Sequence, residues 1–461
     1  MIAPPDEPAS RIFMNANVSN ASHSSDNLRQ LVSDIVRHAR QKGASASAAE
    51  VSEGFGQTVT VRRGKVETIE YNRDKGMSIN VYIGRRRGNA STSDFSWKAV
   101  CDTVDAALNI ARYTAEDDCA GLPDADQLAT EFPDLDLYHP WALSVEQAIE
   151  LASECEQAAF RTDKRINNSE GATVNVSEGL FVQANSLGFI GGYPSSRHSV
   201  SCSVIAGKGD GMQRDYWYGS ARDAREILKV EEIGRIAAER TVRRLSARKL
   251  DTLQCPVLFE APVAGSLFGH FVGAVSGGSL YRKSSFLSDQ LDKPVFSRHI
   301  RIDDVPDIRR GLASSPFDDE GVRTRRRAVV EDGVLRGYFL GSYSARKLGM
   351  QTTGNAGGTH NLIVQPGELD FNGLLRSMQR GLLVTELLGH GVNPVTGDYS
   401  RGAAGFWVEH GEIQYPVEEI TIAGNLRDMY KHIVAVGNDV LVQGSRQCGS
   451  VLTENMMVAG R

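Results

Sequence analysis

The order of hydrophobic patterns in the first half of the sequence repeats itself. A stretch of helical periodicity, a series of strand-like stretches and a second helical stretch are followed by the same series again. SINVYIG at 78–84 and SVSCSVIAG at 199–207 occupy matching places in the two series. The repeat predicts an ancient duplication of a helix–β-meander–helix unit within residues 27–250.

Local signals predict where the helices of these units begin and end. Ser25 is the expected cap of the first helix, and Gly43 is expected to end it. Ser93 or Asp94 is the expected cap of the helix that closes the first unit. The stretch SVEQ at 144–147 has the pattern of a capping box and is expected to open the second unit.

The chain divides into three predicted regions. Residues 1–26 are expected to form a disordered extension, since they lack the pattern of a secretion signal. Residues 27–250 are expected to form an N-terminal α+β domain, with a polar, proline-bearing linker near 117–140. The sequence then becomes glycine-rich and strand-dominated, with turns expected at Asp332-Gly333 and His410-Gly411. This predicts a C-terminal β-rich, antiparallel or barrel-like domain over 251–461. The absence of βαβ alternation makes the expected fold class α+β.

Composition excludes several classes of protein. The net charge of −6 argues against a nucleic-acid binder, and the basic run 323–327 is better interpreted as the arm of a hairpin that turns at Asp332-Gly333. The cysteines show no CxxC pair, which favours free thiols in a reducing compartment. No apolar run approaches the ~18–20 residues of a membrane span. We therefore expect a cytoplasmic protein without nucleic acid or membrane as partners.

TELLGHGVN at 385–393 places Glu386 and His390 four positions apart. On a helix both side chains would lie on one face and could share a metal ion. The sequence offers no evident third ligand, however, and a catalytic zinc needs three. The favoured interpretation is an ordinary helix end, in which Gly389 and Gly391 terminate the helix.

Two further stretches have unusual composition. In residues 261–287 small residues surround His270, so that a helix there could approach another backbone closely. In residues 395–425 a polar segment leads into a strand. This segment consists of Asp398, Tyr399, Ser400 and Arg401. It is either the capped loop of a hairpin or the wall of a groove that recruits an extended peptide as an added strand.

Three long blocks resemble the PmbA (TldE) branch of the TldD/PmbA family. They are TELLGHGVNPVTGDYSRGAAGFWVEHGEIQYPVEEITIAGN, SLFGHFVGAVSGGSLYRKSSFLSD and QCGSVLTENMMVAG, and the resemblance extends from about residue 27 to the C-terminus. It implies a cytoplasmic bacterial protease built from two related chains, TldD and TldE. The implied substrates are unfolded peptides, including antibiotic-peptide precursors and an antitoxin. In this family the TldD chain carries zinc on an HExxxH helix, with a cysteine as a further ligand.

Carried onto this sequence, the resemblance implies a chain without its own metal centre. The stretch SLFGHFVGAVSGG keeps the glycine-rich helix but offers only His270, without an adjacent glutamate or a second histidine. Cys448 stands where the family's cysteine ligand would fall. One imidazole and one thiol are fewer than three ligands. No cofactor is therefore expected here, zinc is expected in the TldD partner, and His270 and Cys448 are at most relics of a catalytic site.

The resemblance makes a substrate-shaping subunit of a TldD-containing heterodimer the leading expectation. Its expected substrate-binding residues are those of the segment 398–401. Two alternatives stay open. One is an independent hydrolase with an unrecognised site, drawn from His270, Glu386, His390 or Cys448. The other is a peptide- or protein-binding modulator without catalysis. A homodimer of the isolated chain is also compatible with the sequence.

Overall fold

A computed structural model describes residues 23–460 of the chain. Most of the extension expected over residues 1–26 lies outside this range. The first helix begins at Ser25, and Ser24 precedes it as its cap. The expected α+β fold class is confirmed, with a helix-flanked sheet in the first half and a β-rich second half.

The first half consists of two units with the same order of elements. The first unit comprises α1 (Ser25–Gln41), β1 (Ala46–Arg62), β2 (Lys65–Ile83), β3 (Arg86–Thr92) and α2 (Trp97–Tyr113). The second unit comprises α3 (Val145–Thr162), β4 (Ile166–Asn185), β5 (Ile190–Ala206), β6 (Gln213–Ala221) and α4 (Val230–Arg243). The segment SINVYIG closes β2 and SVSCSVIAG closes β5, the second strand of each unit. The predicted duplication of a helix–meander–helix unit is confirmed.

The two units share one antiparallel sheet with the strand order β3-β2-β1-β4-β5-β6. The first strand of each unit lies at the centre, where β1 pairs with β4. Buried side chains alternate with partly exposed ones along β1, as expected for a strand with one face against helices. The apolar stripe of α1, with Leu28, Val32 and Ile35, packs onto this sheet.

Helix caps differ from two of the three predictions. The Oγ of Ser24, and not of Ser25, accepts the N–H of Asn27 at 3.2 Å. At α2 the cap is Ser96, and neither Ser93 nor Asp94 takes that place. In both cases the predicted residue lies near the helix end, but only the observed cap reaches the free N–H group three positions on. The capping box at 144–147 is confirmed.

The polar connection between the two units docks on the second half of the chain. Its residue Asp117 accepts hydrogen bonds from Tyr343 at 2.7 Å and from Lys347 at 2.9 Å. The boundary between residues 250 and 251 stays a prediction, and it falls between α4 and the next strand.

The second half contains short helices between its strands. The helices are α5 (Ala261–Ala274), α6 (Gly277–Tyr281), α7 (Ser342–Lys347), α8 (Phe371–Met378) and α9 (Leu426–Lys431). The strands are β7 (Leu253–Phe259), β8 (Ile302–Val305), β9 (Arg327–Glu331), β10 (Val334–Leu335), β11 (Asn361–Val364), β12 (Gly381–Leu388), β13 (Asp398–Glu409), β14 (Glu412–Asn425), β15 (Ile433–Val436), β16 (Arg446–Gln447) and β17 (Val451–Ala459).

Five of these strands close into a barrel. They pair in the order β14-β13-β12-β7-β17, and β17 also pairs with β14. A second sheet has the order β10-β9-β8-β11-β16. The expected hairpin turns at Asp332-Gly333 and His410-Gly411 are present, and all four residues have the positive φ that such turns require.

The helix expected at TELLGHGVN is wrong, because residues 381–388 form strand β12. This strand pairs with β13 on one side and β7 on the other, and Leu382, Leu383 and Val384 are fully buried. A continuous apolar run is typical of a strand covered on both faces, and its periodicity does not separate it from a buried helix.

The structure also bears on the cysteines and on the length and polarity of the helices. All six cysteines are free thiols, as their spacing predicted. Across residues 23–460, every helix is too short or too polar to cross a bilayer.

Candidate functional site

Helix α5 presents a face without side chains. It follows β7 directly, with a proline in its first turn. Gly265, Gly269 and Gly273 recur every fourth residue and therefore lie on one face. The side chain of Arg446 lies on this face: a Cβ atom added to Gly269 would come within 2.9 Å of the Arg446 guanidinium. The glycines thus provide the space in which an arginine reaches across the helix.

His270, the single histidine of this helix, lies beside the start of β13. Side chains alternate along that strand, so that Tyr399 is buried while Asp398 and Ser400 are exposed. The rings of His270 and Tyr399 meet edge to face, with 6.1 Å between their centroids. The positive charge of Arg401 acts on both rings. The structure therefore brings His270 together with two of the four predicted substrate-binding residues.

Polar atoms at this place lack partners. His270 Nε2, Tyr399 Oη and Arg401 Nε are each buried and make no hydrogen bond of good geometry within residues 23–460, although the Arg401 guanidinium lies near enough to the Tyr399 oxygen to favour its ionised form. In the same part of the chain, neither Arg401 nor Arg446 lies within ion-pair distance of an acidic side chain. We call this group of four side chains, His270, Tyr399, Arg401 and Arg446, the cationic cluster.

Burial and charge determine the protonation of the cluster. Burial, followed by the charges of Arg401 and Arg446, lowers the pKa of His270, so its imidazole is neutral at neutral pH. Burial raises the pKa of Tyr399 to about 12, although the neighbouring Arg401 opposes this effect. The hydroxyl therefore remains an O–H donor. Donors and positive charge without a counter-ion are suited to binding an anion.

Asp398 has the contacts of a loop cap. Its carboxylate accepts hydrogen bonds from the Thr396 hydroxyl at 2.6 Å and the Asn425 amide at 3.1 Å, which lower its pKa. Ser400 projects to solvent on the same face of the strand.

The alternative in which residues 398–401 recruit a peptide as an added strand does not fit the pairing of this stretch. One edge of this stretch pairs with β14. On the other edge, Ser400 N donates to Gly391 O at 2.6 Å and Asn393 N donates to Asp398 O at 2.9 Å. Because its main chain is occupied on both sides, this stretch can contact a ligand only through side chains.

Cys448 does not have the environment of a metal ligand. It is 2% exposed, and its Sγ donates to the carbonyl of Gly449 at 3.0 Å. Burial, and then the charge of Asp439, raises its pKa, so without a bound cation it is a thiol and not the thiolate that metals bind. Across residues 23–460, His, Cys, Asp and Glu side chains do not assemble in groups of three that could hold a metal ion. Around His270, the described residues therefore offer fewer than the three protein ligands of a catalytic zinc site.

Glu386 and His390 do not form a pair. Glu386 lies on β12 and binds Arg244 at 2.5 Å, with Arg214 at 3.6 Å. His390 is exposed in the loop beyond the strand. Residues four apart in an extended chain are too distant to share an ion, so the metal-pair hypothesis is wrong. The carboxylate instead joins the barrel to the end of α4.

The sequence interpretation overlooked Arg446 and Arg244. Two signals could have identified Arg446: the four-residue spacing of glycines on α5, which predicts an occupant for that face, and a basic residue two positions before Cys448. Arg244 carried no comparable signal, since its partner Glu386 is distant in sequence.

Family models match most of the chain. Residues 48–111 match domain 1 of the PmbA/TldA metallopeptidases, residues 138–245 match their central domain, and residues 252–460 match their C-terminal domain.

Relatives and solved structures match along nearly the whole length. Metalloprotease PmbA of Escherichia coli O157:H7 is 51% identical, over 94% of this chain and 96% of that protein. A solved structure from Bacteroides thetaiotaomicron, proposed as a modulator of DNA gyrase, has a TM-score of 0.89 at 27% identity and covers 95% of this chain and 99% of its own. TldE from Thermococcus kodakarensis has a TM-score of 0.83 at 20% identity, covering 93% and 100%, and thus shares the fold.

Proposed function

The chain belongs to the PmbA (TldE) branch of the PmbA/TldD metallopeptidase family, and on this premise we propose that it is the metal-free, substrate-shaping subunit of a heterodimeric zinc protease. Its partner is a TldD-type chain, which supplies the zinc ion. The substrates are unfolded peptides, such as antibiotic-peptide precursors and antitoxins, and the complex acts in the cytoplasm. The chain itself contributes binding surface and no catalytic group.

The position of the two arginines is the observation that carries this proposal. On the helix where the family's TldD chains hold zinc, this chain has a single imidazole, His270, flanked by Arg401 and Arg446. Like charges repel, so two guanidinium groups disfavour a dication at this place. The remaining relic, Cys448, is held as a buried thiol. A site of this kind is suited to a ligand of the opposite charge.

Substrate binding falls to the segment 398–401, through side chains alone. Asp398 and Ser400 face solvent, where they can contact a peptide or the partner chain. Tyr399 and Arg401 face α5 and join the cationic cluster. Since strand addition is excluded here, the affinity of this surface depends on charge and on side-chain hydrogen bonds.

Zinc content and peptidase activity test the proposal together. The chain is purified alone and as a complex with the TldD-type chain of the same organism, and zinc is measured by mass spectrometry. We expect well under one zinc per molecule for the chain alone, without hydrolysis of unstructured peptides. The complex should contain zinc and should lose its activity to a chelator.

Chelator-sensitive hydrolysis by the chain alone would contradict the proposal and would favour an independent hydrolase. Failure of the two chains to co-purify, with peptide bound but not cleaved, would favour a binding protein without catalysis.

A further inference from the structure

We propose that the cationic cluster, formed by His270, Tyr399, Arg401 and Arg446, binds a carboxylate, and that its occupant is the free C-terminal carboxylate of a peptide. The assignment to a peptide rests on the proposed function. Anion binding itself rests on the structure alone.

Several buried polar groups of the cluster lack acceptors. The side chain of Tyr399 is only 1% exposed, and its polar neighbour is the Arg401 guanidinium, which can donate but not accept, so the O–H has no acceptor within the described part of the chain. Arg401 Nε also lacks a partner there, as does His270 Nε2, which is a donor in one tautomer of the neutral ring. Leaving a buried donor unsatisfied costs ~1–3 kcal/mol. An oxyanion would satisfy these donors at once.

The cluster also carries positive charge without a counter-ion. Arg446 lies against Gly269, the neighbour of His270 on α5, and Arg401 follows Tyr399, whose ring contacts that of His270, on the same face of β13. Acidic side chains within ion-pair distance of either arginine are absent from residues 23–460. Arginines of α4 and its C-terminal end do have such partners, for example Arg240 with Glu260 and Arg244 with Glu386. The missing counter-ion of the cluster would be supplied by the ligand.

Arg446 is the accessible member of the cluster. Its side chain is exposed and lies on the glycine face of α5, while Tyr399 is buried. A small planar anion can therefore approach the Arg446 guanidinium from solvent. The fork geometry of guanidinium matches the two oxygens of a carboxylate. Because the neighbouring main chain of β13 is fully paired, recognition of the peptide end here needs no strand addition.

The test is a binding measurement on the isolated chain. A short fluorescein-labelled unstructured peptide with a free C-terminus is titrated by fluorescence anisotropy, next to the same peptide ending in an amide. We expect the amide to bind at least tenfold more weakly, since a hydrogen bond to a charged group contributes roughly a factor of ten to a hundred. Arg401→Gln and Arg446→Gln should weaken the free acid by the same order. Tyr399→Phe, which removes only the hydroxyl, should weaken it less.

Arg376→Gln is the matched control. It removes one positive charge from α8 of the same domain, and Arg376 is 68% exposed and distant from the cluster in sequence. This variant should bind the free acid like the unmodified chain. Circular dichroism and thermal melting verify that each variant is folded, and Tyr399→Phe gives a second variant of the site should an arginine variant be unstable.

Several outcomes would overturn the proposal. Equal binding of acid and amide, or an equal loss in Arg376→Gln, would reduce the effect to general charge attraction. Competition by inorganic phosphate at much lower concentration than acetate would replace the carboxylate with a phosphate ligand. If Arg446→Gln leaves peptide binding intact but prevents assembly with the TldD-type chain, the carboxylate belongs to a side chain of that partner.

This experiment separates the inference from the proposed function. It needs neither the partner nor catalysis, so a complex without peptidase activity would refute the proposed function and leave carboxylate binding standing. Conversely, an active complex whose isolated subunit does not distinguish acid from amide would refute only the inference.

Discussion

Replacement of Glu386 by glutamine tests whether this carboxylate holds the barrel against the duplicated sheet. Glu386 lies on β12, and its main partner, Arg244, caps the end of α4 at a distance of 2.5 Å. The two side chains are only 20% and 12% exposed. The substitution removes the negative charge while keeping the shape of the side chain, so its effect reports on the ion pair.

The expected loss of unfolding free energy is about 2 kcal/mol. Breaking a buried pair costs ~3–5 kcal/mol when the remaining charge is left uncompensated. An exposed pair contributes only ~0.2–1 kcal/mol. Arg244 keeps a second acid, Asp215, at 3.7 Å, and Glu386 is not fully buried. Both features place the loss between these two limits.

A double-mutant cycle measures the pair directly. Urea unfolding is compared for the unmodified chain, Glu386→Gln, Arg244→Met and the double variant. The two losses should be less than additive, with a coupling free energy of about 1–2 kcal/mol. Asp105→Asn is the control: its pair with Lys42, at 3.2 Å, is 47% and 43% exposed and should change stability by less than ~0.5 kcal/mol.

Two results would refute this reasoning. Additive losses would show that Glu386 and Arg244 do not interact in solution. Unchanged stability of Glu386→Gln, combined with lost peptidase activity of the complex, would instead assign Glu386 a role in the reaction, as its spacing from His390 first suggested.

Three further predictions address the helices, the linker and the binding surface. Gly234→Ala should destabilise the chain by about 2 kcal/mol, because the added methyl would lie 2.0 Å from a backbone carbonyl of α3. Gly211→Ala is the control, since its methyl would meet open space and should not change stability. Equal melting temperatures of the two variants would contradict the close packing of α3 and α4. Hydrogen bonds from Lys347 and Tyr343 of α7 lower the pKa of Asp117 to about 2. Their contribution to the stability of the fold is therefore present above the unfolded pKa of ~3.9 and is lost as the pH falls toward the folded pKa. Asp117→Asn should therefore be less stable than the unmodified chain at pH 7 but not near pH 2, and a pH-independent difference in urea midpoint would argue against this. Arg401→Ala in the assembled complex should abolish peptide turnover without affecting assembly, measured by a peptidase assay and gel filtration, and unchanged turnover would make the segment merely structural.

The parts of the fold that the sequence predicted are those fixed by local rules. The positions of SINVYIG and SVSCSVIAG identified the duplication because the same pattern of alternation and turns recurs in both units. The capping box at 144–147 and the turns at Asp332-Gly333 and His410-Gly411 depend on a few adjacent residues. The strand β12 was mistaken for a helix because its conformation is set by pairing with β7 and β13, which lie far away in the sequence.

The cationic cluster, like β12, depends on residues that lie far apart in the sequence. His270, Tyr399 and Arg446 come from three separate stretches of the chain, and only the packing of α5 against the barrel brings them together. The unusual composition of residues 261–287 and 395–425 directed attention to His270 and Arg401. It gave no indication that they share one place, or that Arg446 completes it.

The duplicated sheet and the cationic cluster are connected through charge at the start of α5. Glu260, which precedes the first turn of this helix, binds Arg240 of α4 at 2.9 Å, and Arg240 also lies 3.5 Å from Asp215 on β6. Burial raises the pKa of Glu260, while the charge of Arg240 opposes this and favours the carboxylate. A carboxylate at a helix N-terminus stabilises the helix through its dipole. Since α4 closes the second duplicated unit, this ion pair joins that unit to the start of the helix that carries His270.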